Sequence, residues 1–425
     1  MWRVERTLDG VDATRDELLP FVGPAASLPL WSLLARLPFD GARAVWLSLL
    51  VLALFALAAA TAALATGRLT GTSGLSALLF AALTGPLVSA IGLGQAALLS
   101  AAAVAAALVA FERRSPWALG AAFVAAIQPN LALPLAVRFT GRFSALMLGG
   151  AAALFVALTL IAGDGLAGAR AYVQRLAEHG AGERFIVIQY GVPAILASLH
   201  VSVQTATIAG NACALIALAG ATAFAWRFRA QPLYTAAFAI AVLPWALPFF
   251  HEHDFVIEVI PAIALAAVPD ARVRTLAGVA TLCVLVNWLN VAQRPDTAAQ
   301  TVALAFALAF AFAVLPHRTP REPSALPPVI AAALLAAIAV PLALAFPAPV
   351  WPDALGAFHA APGLDSSAVW AAEQQAAGLG AAVPAWGLLR AIPLFGALLL
   401  AVGAYVATTT RPERTASGTA ASDSP

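Results

Sequence analysis

The chain has 425 residues, of which 62% are hydrophobic and 10% charged, at a mean hydropathy of +0.88. Soluble domains hold roughly 45–50% apolar and about 25% charged residues, so a soluble globular fold is excluded. What remains is an all-α polytopic membrane protein, helix packed on helix in lipid. The net charge of +2 rests on 23 basic residues, all of them Arg, and gives no ground for a nucleic-acid partner.

In chain order, residues 1–43 come first as a segment without a hydrophobic span. Its first twenty residues, MWRVERTLDGVDATRDELLP, are polar and contain neither a signal peptide nor a transmembrane helix. Spans are expected at about 44–66, 74–91, 95–111, 143–162, 204–226, 232–250, 254–269, 274–291, 300–316, 325–346 and 389–408, about eleven in all. Residues 116–138 are long enough to cross, yet Arg pairs flank both ends and Gln128-Pro129-Asn130 interrupts the middle. Proline removes a backbone donor and disfavours helix in the residue before it. Two half-helices that dip in and return satisfy both facts; a kinked span is the alternative.

Arginine sorts the loops. Arg68, Arg113, Arg114, Arg138, Arg142, Arg227, Arg229, Arg272, Arg274, Arg318, Arg321, Arg411 and Arg414 mark one side, which the positive-inside rule makes cytoplasmic. The opposite side receives residues 1–43, 92–94, 163–203, 251–254, 292–299 and 347–388. The expected organisation is therefore an external segment at 1–43, a core at 44–346, an external loop at 347–388, a last helix at 389–410 and a polar cytoplasmic tail at 411–425. An external polar N-terminus without an export signal suggests a start placed too late, with a first helix missing. Cys213 and Cys283 lie in apolar runs and read as small buried hydrophobes.

The densest polar feature is His251-Glu252-His253-Asp254, between AFAIAVLPWALPFF and FVIEVIPAIALAAV. Charge at a membrane boundary is expensive unless it is used, and imidazole suits proton transfer or hydrogen bonding near neutral pH. The bland reading is a solvated turn with helix-end charges. A lone His-x-His-Asp is weak evidence for a metal site, and neither a metal nor another cofactor is expected. On the same side lie Gln95 after Gly94, Arg184 beside Glu183, Gln189 before Tyr190-Gly191, and the carboxylates Asp9, Asp12 and Asp16. Gln95 also reads as a cap or an interhelical bond. The stretch GLAGARAYVQRLAEHG spaces Leu166, Ala169, Tyr172, Val173 and Leu176 on one face, as a helix lying on a bilayer would.

Taken in order, these segments resemble glycosyltransferase family 87, multi-pass enzymes of the GT-C class typified by polyprenol-phosphate-mannose-dependent mannosyltransferases. FVGPAASLPLWSLLARLPFDGARAVW is similar to the family's Tyr-Pro-Pro segment with its Leu-Pro-Phe turn and Trp-bearing helix. Gly94-Gln95 is similar to its Gly-Gln, and AAFVAAIQPNLALPL to its Lys-Pro break. PWALPFFHEHDFVIEVIPAIAL resembles the segment whose histidine faces the external active site. Together they cover roughly residues 20–265, and their order and spacing carry the resemblance. Three departures stand out. Val22 and Gly23 replace the family's Tyr and first Pro, and Gln128 stands where Lys is common. The family's catalytic aspartate, by spacing, would precede Met1, leaving Asp9 and Asp12 as the nearest carboxylates.

The resemblance implies a GT-C-like bundle that moves a mannose-like hexose from a polyprenyl-phosphate carrier to a lipid or glycan acceptor. The reaction would take place at the outer face of a bacterial cytoplasmic membrane, with inversion. On this reading His253, with His251 second, and Asp12 or Asp9 are the catalytic candidates. Gln95, Gln128, Asn130, Arg184 and Gln189 are the substrate-binding ones, with Arg184 the external cation nearest in kind to a phosphate partner. The donor, the acceptor and membrane lipids are the expected partners. A lipid-linked donor needs no nucleotide-binding domain, and no Gly-rich phosphate loop is present. The rival readings are a transporter or lipid flippase and a non-catalytic family relative.

Overall fold

The computed structural model describes residues 23–248, 250–315, 326–350 and 366–410. Among them every regular element is a helix, and the sole β-type pairing is an isolated antiparallel bridge between Gln189 and His251. Seven helices are long and apolar enough to cross a membrane: Phe39–Thr66, Arg142–Ala162, Val203–Arg227, Ala271–Gln293, Pro295–Ala313, Leu326–Ala345 and Pro384–Thr409. Gly71–Ala82 and Gly85–Gly92 form an eighth only as a pair bent by 72°. Pro86 explains the break, since it donates no backbone N–H to the preceding turn. This is an all-α polytopic membrane protein.

The expected spans divide into two kinds. Those at 44–66, 143–162, 204–226, 274–291, 300–316, 325–346 and 389–408 each coincide with a long helix. The others are short or broken. Residues 95–111 become Ala97–Glu112, sixteen residues with most side chains buried. Residues 232–250 give only Pro232–Ala241 and Leu243–Ala246, and 254–269 give a 3-10 turn over Glu252–Glu258 followed by Val259–Ala266. Pro244 and Pro248 are the physical reason on the first side of the turn. The polar sequence thus enters the bundle, where it packs on Gly85–Gly92 and Ala97–Glu112.

The segment 116–138 is broken as the Pro predicted. Trp117–Ala125 stops short of Gln128, which caps the start of Pro129–Ala132, and a 3-10 stretch over Leu133–Thr140 follows. Its far end is tied to the neighbouring Arg-rich turn, because Arg138 donates to Glu112 at 2.8 Å and lies over the Phe111 ring. Ala271–Val284 and Pro384–Thr409 form the closest helix pair. A Cβ on Gly396 would lie 2.5 Å from the Cβ of Cys283, so the small residue lets the backbones approach as lipid-embedded helices require. Cys213 and Cys283 are both free thiols. Arg142–Ala162 and Val203–Arg227 are only 11% and 17% buried, which puts them at the periphery facing lipid.

The amphipathic stretch is a helix, Gly165–Glu183, with Leu166 and Val173 exposed on its apolar face. Beyond it, residues 184–194 turn back into the bundle and meet Arg390 of the last span. Arg390 is 1% exposed. Its Nη1 donates to the carbonyls of Ile186 (3.0 Å) and Gln189 (2.9 Å), and its Nη2 to that of Ala194 (3.2 Å). Non-helical backbone inside such a bundle needs partners for its polar groups, and one guanidinium supplies them at Ile186 and Gln189 while it also reaches the helix Val192–Ser198 at Ala194. Ser366–Ala376 packs on the amphipathic helix, and Leu379 accepts from the Val187 N–H at 2.8 Å.

Replacing Arg390 by Met takes one donor from each of three carbonyls, of which that of Ile186 keeps the Gln189 N–H; each carbonyl left unpaired costs about 1–3 kcal/mol. Arg390→Met should lower the thermal unfolding midpoint in detergent and speed amide exchange across residues 184–194 before it does so elsewhere. Unchanged exchange there would mean that other contacts hold the loop.

Candidate functional site

Three segments far apart in sequence build one polar cluster. The first is the end of the amphipathic helix, where His179 and Glu183 stand one turn apart with 3.3 Å between Nε2 and Oε2. The second is the loop held by Arg390, which carries Gln189 and Tyr190. The third is the 251–254 turn. The Tyr190 N–H donates to the Phe250 carbonyl at 2.7 Å, and this strand-like contact sets Gln189 opposite His251.

His251 is the hub. Its Nε2 lies 3.2 Å from Glu183 Oε2 and 2.8 Å from the Gln189 amide nitrogen, and that amide donates to Glu183 Oε2 at 3.1 Å. Its backbone N–H donates to Asp254 Oδ2 at 3.0 Å, closing the turn as a helix cap does. The His251 and His253 rings stack with centroids 5.0 Å apart and planes 11° from parallel. His253 Nε2 is 3.8 Å from Asp254 Oδ1, and both residues are buried. On the other side Glu252 is hydrogen-bonded to Ser89 and Asn287, just ahead of the Gly94-Gln95 turn. That turn has its own anchor: Gly94 adopts φ +63°, and its carbonyl accepts from Trp46 Nε1 at 2.8 Å.

Against this geometry, the profile of glycosyltransferase family 87 matches residues 21–249, just over half of the 425-residue chain. The chain belongs to glycosyltransferase family 87. It is therefore a multi-pass membrane glycosyltransferase, with a sugar donor and an acceptor as substrates. No curated protein and no solved structure matches it. The match includes Glu183, Gln189 and the Gly94-Gln95 and Gln128-Pro129-Asn130 turns, and it stops two residues before His251. What joins the 251–254 turn to the family region is the contact of His251 with Glu183 and Gln189.

The charges within this cluster follow from burial and pairing. Burial would lower the pKa of His251, but the carboxylates of Asp254 and Glu183 facing its ring push it up to about 10. Burial would likewise raise Glu183, yet hydrogen bonding to His179 and His251 holds it well below the usual carboxylate range. His253 goes the other way: burial pulls it down to about 4, against the pull of Asp254. Burial also raises Glu252 to about 8, with Asn287 and Ser89 opposing. At neutral pH the site therefore sets a cationic His251 beside a neutral His253 that can donate one hydrogen bond and accept another.

Of the residues expected to act, His251, His253 and Gln189 are brought together. Arg184 follows Glu183 and is half-buried, and its Nε has no hydrogen-bond partner. The glutamate, not the arginine, meets His251. Gln95 sits in the turn next to the helix that carries Ser89, and no hydrogen bond or ion pair links it to the histidines. Gln128 and Asn130 lie at the break packed against Ala97–Glu112 and Trp117–Ala125, with Gln128 Oε1 buried and unbonded. Asp9 and Asp12 lie outside the described residues. Sequence reasoning passed over Glu183, His179, Glu252 and Arg390 as site-forming residues. Two signals were present: His179 and Glu183 are four apart on a helix, and Arg390 is a charge inside an apolar span.

Linkage gives the pair a pH signature. His251 is raised above its unfolded value of 6.5, so its contribution is complete below pH 6.5 and is lost as pH climbs toward 10. Glu183 is depressed, so its contribution is present above 4.5 and is lost as pH falls below it. Amide protection of residues 183–191 should therefore peak between pH 4.5 and 6.5 and decline on both sides. Glu183→Gln should flatten the profile; an unaltered profile in that variant would dissociate the pair from loop stability.

Proposed function

We propose that this glycosyltransferase takes its sugar, a mannose-like hexose, from a polyprenyl-phosphate carrier and passes it to a lipid or glycan acceptor. The observation that carries the reading is the buried His253 stacked on the half-buried His251, among membrane helices and backed by Glu183 and Gln189. A cationic imidazole beside a neutral one suits a leaving phosphate, because charge-assisted hydrogen bonds are strongest where water is excluded. A donor anchored in the bilayer reaches such a site laterally. Family 87 supports the transfer, and the Arg-sorted loops support a site on the outer face of a bacterial cytoplasmic membrane.

The chemistry is one displacement at the anomeric carbon. The acceptor oxygen forms the new bond, the carrier phosphate leaves with the electron pair of the old one, and the configuration inverts. A carboxylate takes the hydroxyl proton, and Asp9 and Asp12 are the candidates that the sequence offers for it. His253 donates to the departing phosphate oxygen while His251 supplies positive charge. Gln189 orients His251. Arg184, Gln95, Gln128 and Asn130 are assigned to binding donor and acceptor around this centre.

His253→Ala should reduce sugar transfer by about 100-fold or more in membranes supplied with a polyprenyl-phosphate-linked mannose. The amount of folded protein should stay the same. Full activity in that variant would remove His253 from the reaction. Transfer from a nucleotide sugar in lipid-free conditions would overturn the donor assignment.

A further inference from the structure

We propose that residues 251–254 hold a divalent transition-metal ion of the zinc class, ligated by His251 Nδ1, His253 Nε2 and a carboxylate oxygen of Asp254. One donor atom from each of these three residues lies within 4.8 Å of the other two. His251 Nδ1 is 3.7 Å from Asp254 Oδ2, and His253 Nε2 is 3.8 Å from Asp254 Oδ1. The Asp254 carboxylate therefore faces both rings. Ligands about 2.0–2.1 Å from a tetrahedral ion stand roughly 3.3 Å apart. With donors up to 4.8 Å apart, closing on an ion needs shifts of as much as about 1.5 Å, and the stacked rings must turn out of parallel so that both nitrogens aim at it.

A second observation is independent of the first. Metal-bound histidines direct their other ring nitrogen at a carboxylate or carbonyl, which fixes the ring and raises its basicity. His251 does this: its Nε2 lies 3.2 Å from Glu183 Oε2. Two imidazoles and one carboxylate, without thiolate, suit zinc-class ions better than calcium or magnesium, which favour oxygen donors. Binding at Nδ1 displaces the proton there to solvent, while the proton on Nε2 stays on the Glu183 side. Three protein ligands leave a position open. Two neutral rings and one carboxylate leave the ion a net charge of +1. It can therefore accept an anionic oxygen such as that of a phosphate. What the ion would do rests on the phosphate reading of this turn; whether it binds does not.

The test uses the full chain purified in detergent, stripped with EDTA and dialysed against Zn²⁺ or Co²⁺. One equivalent should be retained by elemental analysis, and Co²⁺ should show the visible bands of a nitrogen–oxygen site. His253→Ala and Asp254→Asn should weaken binding at least tenfold, and Glu183→Gln by about 10–100-fold through its outer contact. His200→Asn, in an exposed histidine away from the turn, should bind as the parent does. Less than a tenth of an equivalent in the parent protein would overturn the site, whatever the variants do. So would unchanged affinity in a monodisperse His253→Ala. Transfer assays separate the two readings. EDTA-treated protein that is metal-free and fully active removes the ion and keeps the phosphate reading. A stoichiometric ion in protein that transfers no sugar from the lipid-linked donor keeps the ion and removes that reading.

Discussion

One buried guanidinium holds the site in place. Arg390 projects from a transmembrane helix and donates to the carbonyls of Ile186 and Gln189 in non-helical backbone and of Ala194 in the short helix that follows, and its Nε to Trp386 of its own helix. Without it each of these carbonyls would lose a donor in a low-dielectric interior, where an unpaired backbone group is costly. With it, residues 184–194 become a fixed wall. The wall places Gln189 on His251 and Glu183 beside it, so a structural hydrogen-bond problem and the geometry of the polar cluster share one solution.

The cluster works by the same logic at the level of charge. His251, Glu183, Asp254 and His253 would each be costly in isolation. Together they divide into a cation between two carboxylates and a neutral imidazole stacked against it. The neighbouring Glu252 is held by Ser89 and Asn287, which extends the polar layer toward the Gly94-Gln95 turn. The proposed transfer from a polyprenyl-phosphate carrier would need such a layer, because it moves a phosphate and a proton where water is scarce. The surrounding apolar helices make each interaction stronger than it would be in solution.

Much of this was legible in the residues. Composition alone required a helical membrane protein, and seven expected spans are long helices. Pro129 announced the break at Gln128, and the spacing of Leu166, Val173 and Leu176 announced the amphipathic helix. The ordered motifs led to family 87. The spans at 232–250 and 254–269 were read too long because hydropathy measures apolarity and not continuity. Pro244 and Pro248 divide the first, and a 3-10 turn opens the second. Apolar sequence without a continuous helix reads the same in a hydropathy window.

The site itself was half legible. The His251/His253 pair announced itself as charge in an apolar context, and Gln189 as an amide in a loop on the same side. Local spacing and side-chain type are enough for that. The choice of Glu183 over Arg184 as the partner of His251, and of Arg390 as the anchor, came only from tertiary structure. Those contacts join residues 68 to more than 200 positions apart, and a contact at that range leaves no periodicity in the chain. The sequence by itself determined the solvent, the helices and the chemistry available. Which imidazole is charged, and what holds it so, was decided by packing, because burial and facing carboxylates, not residue identity, set those charges.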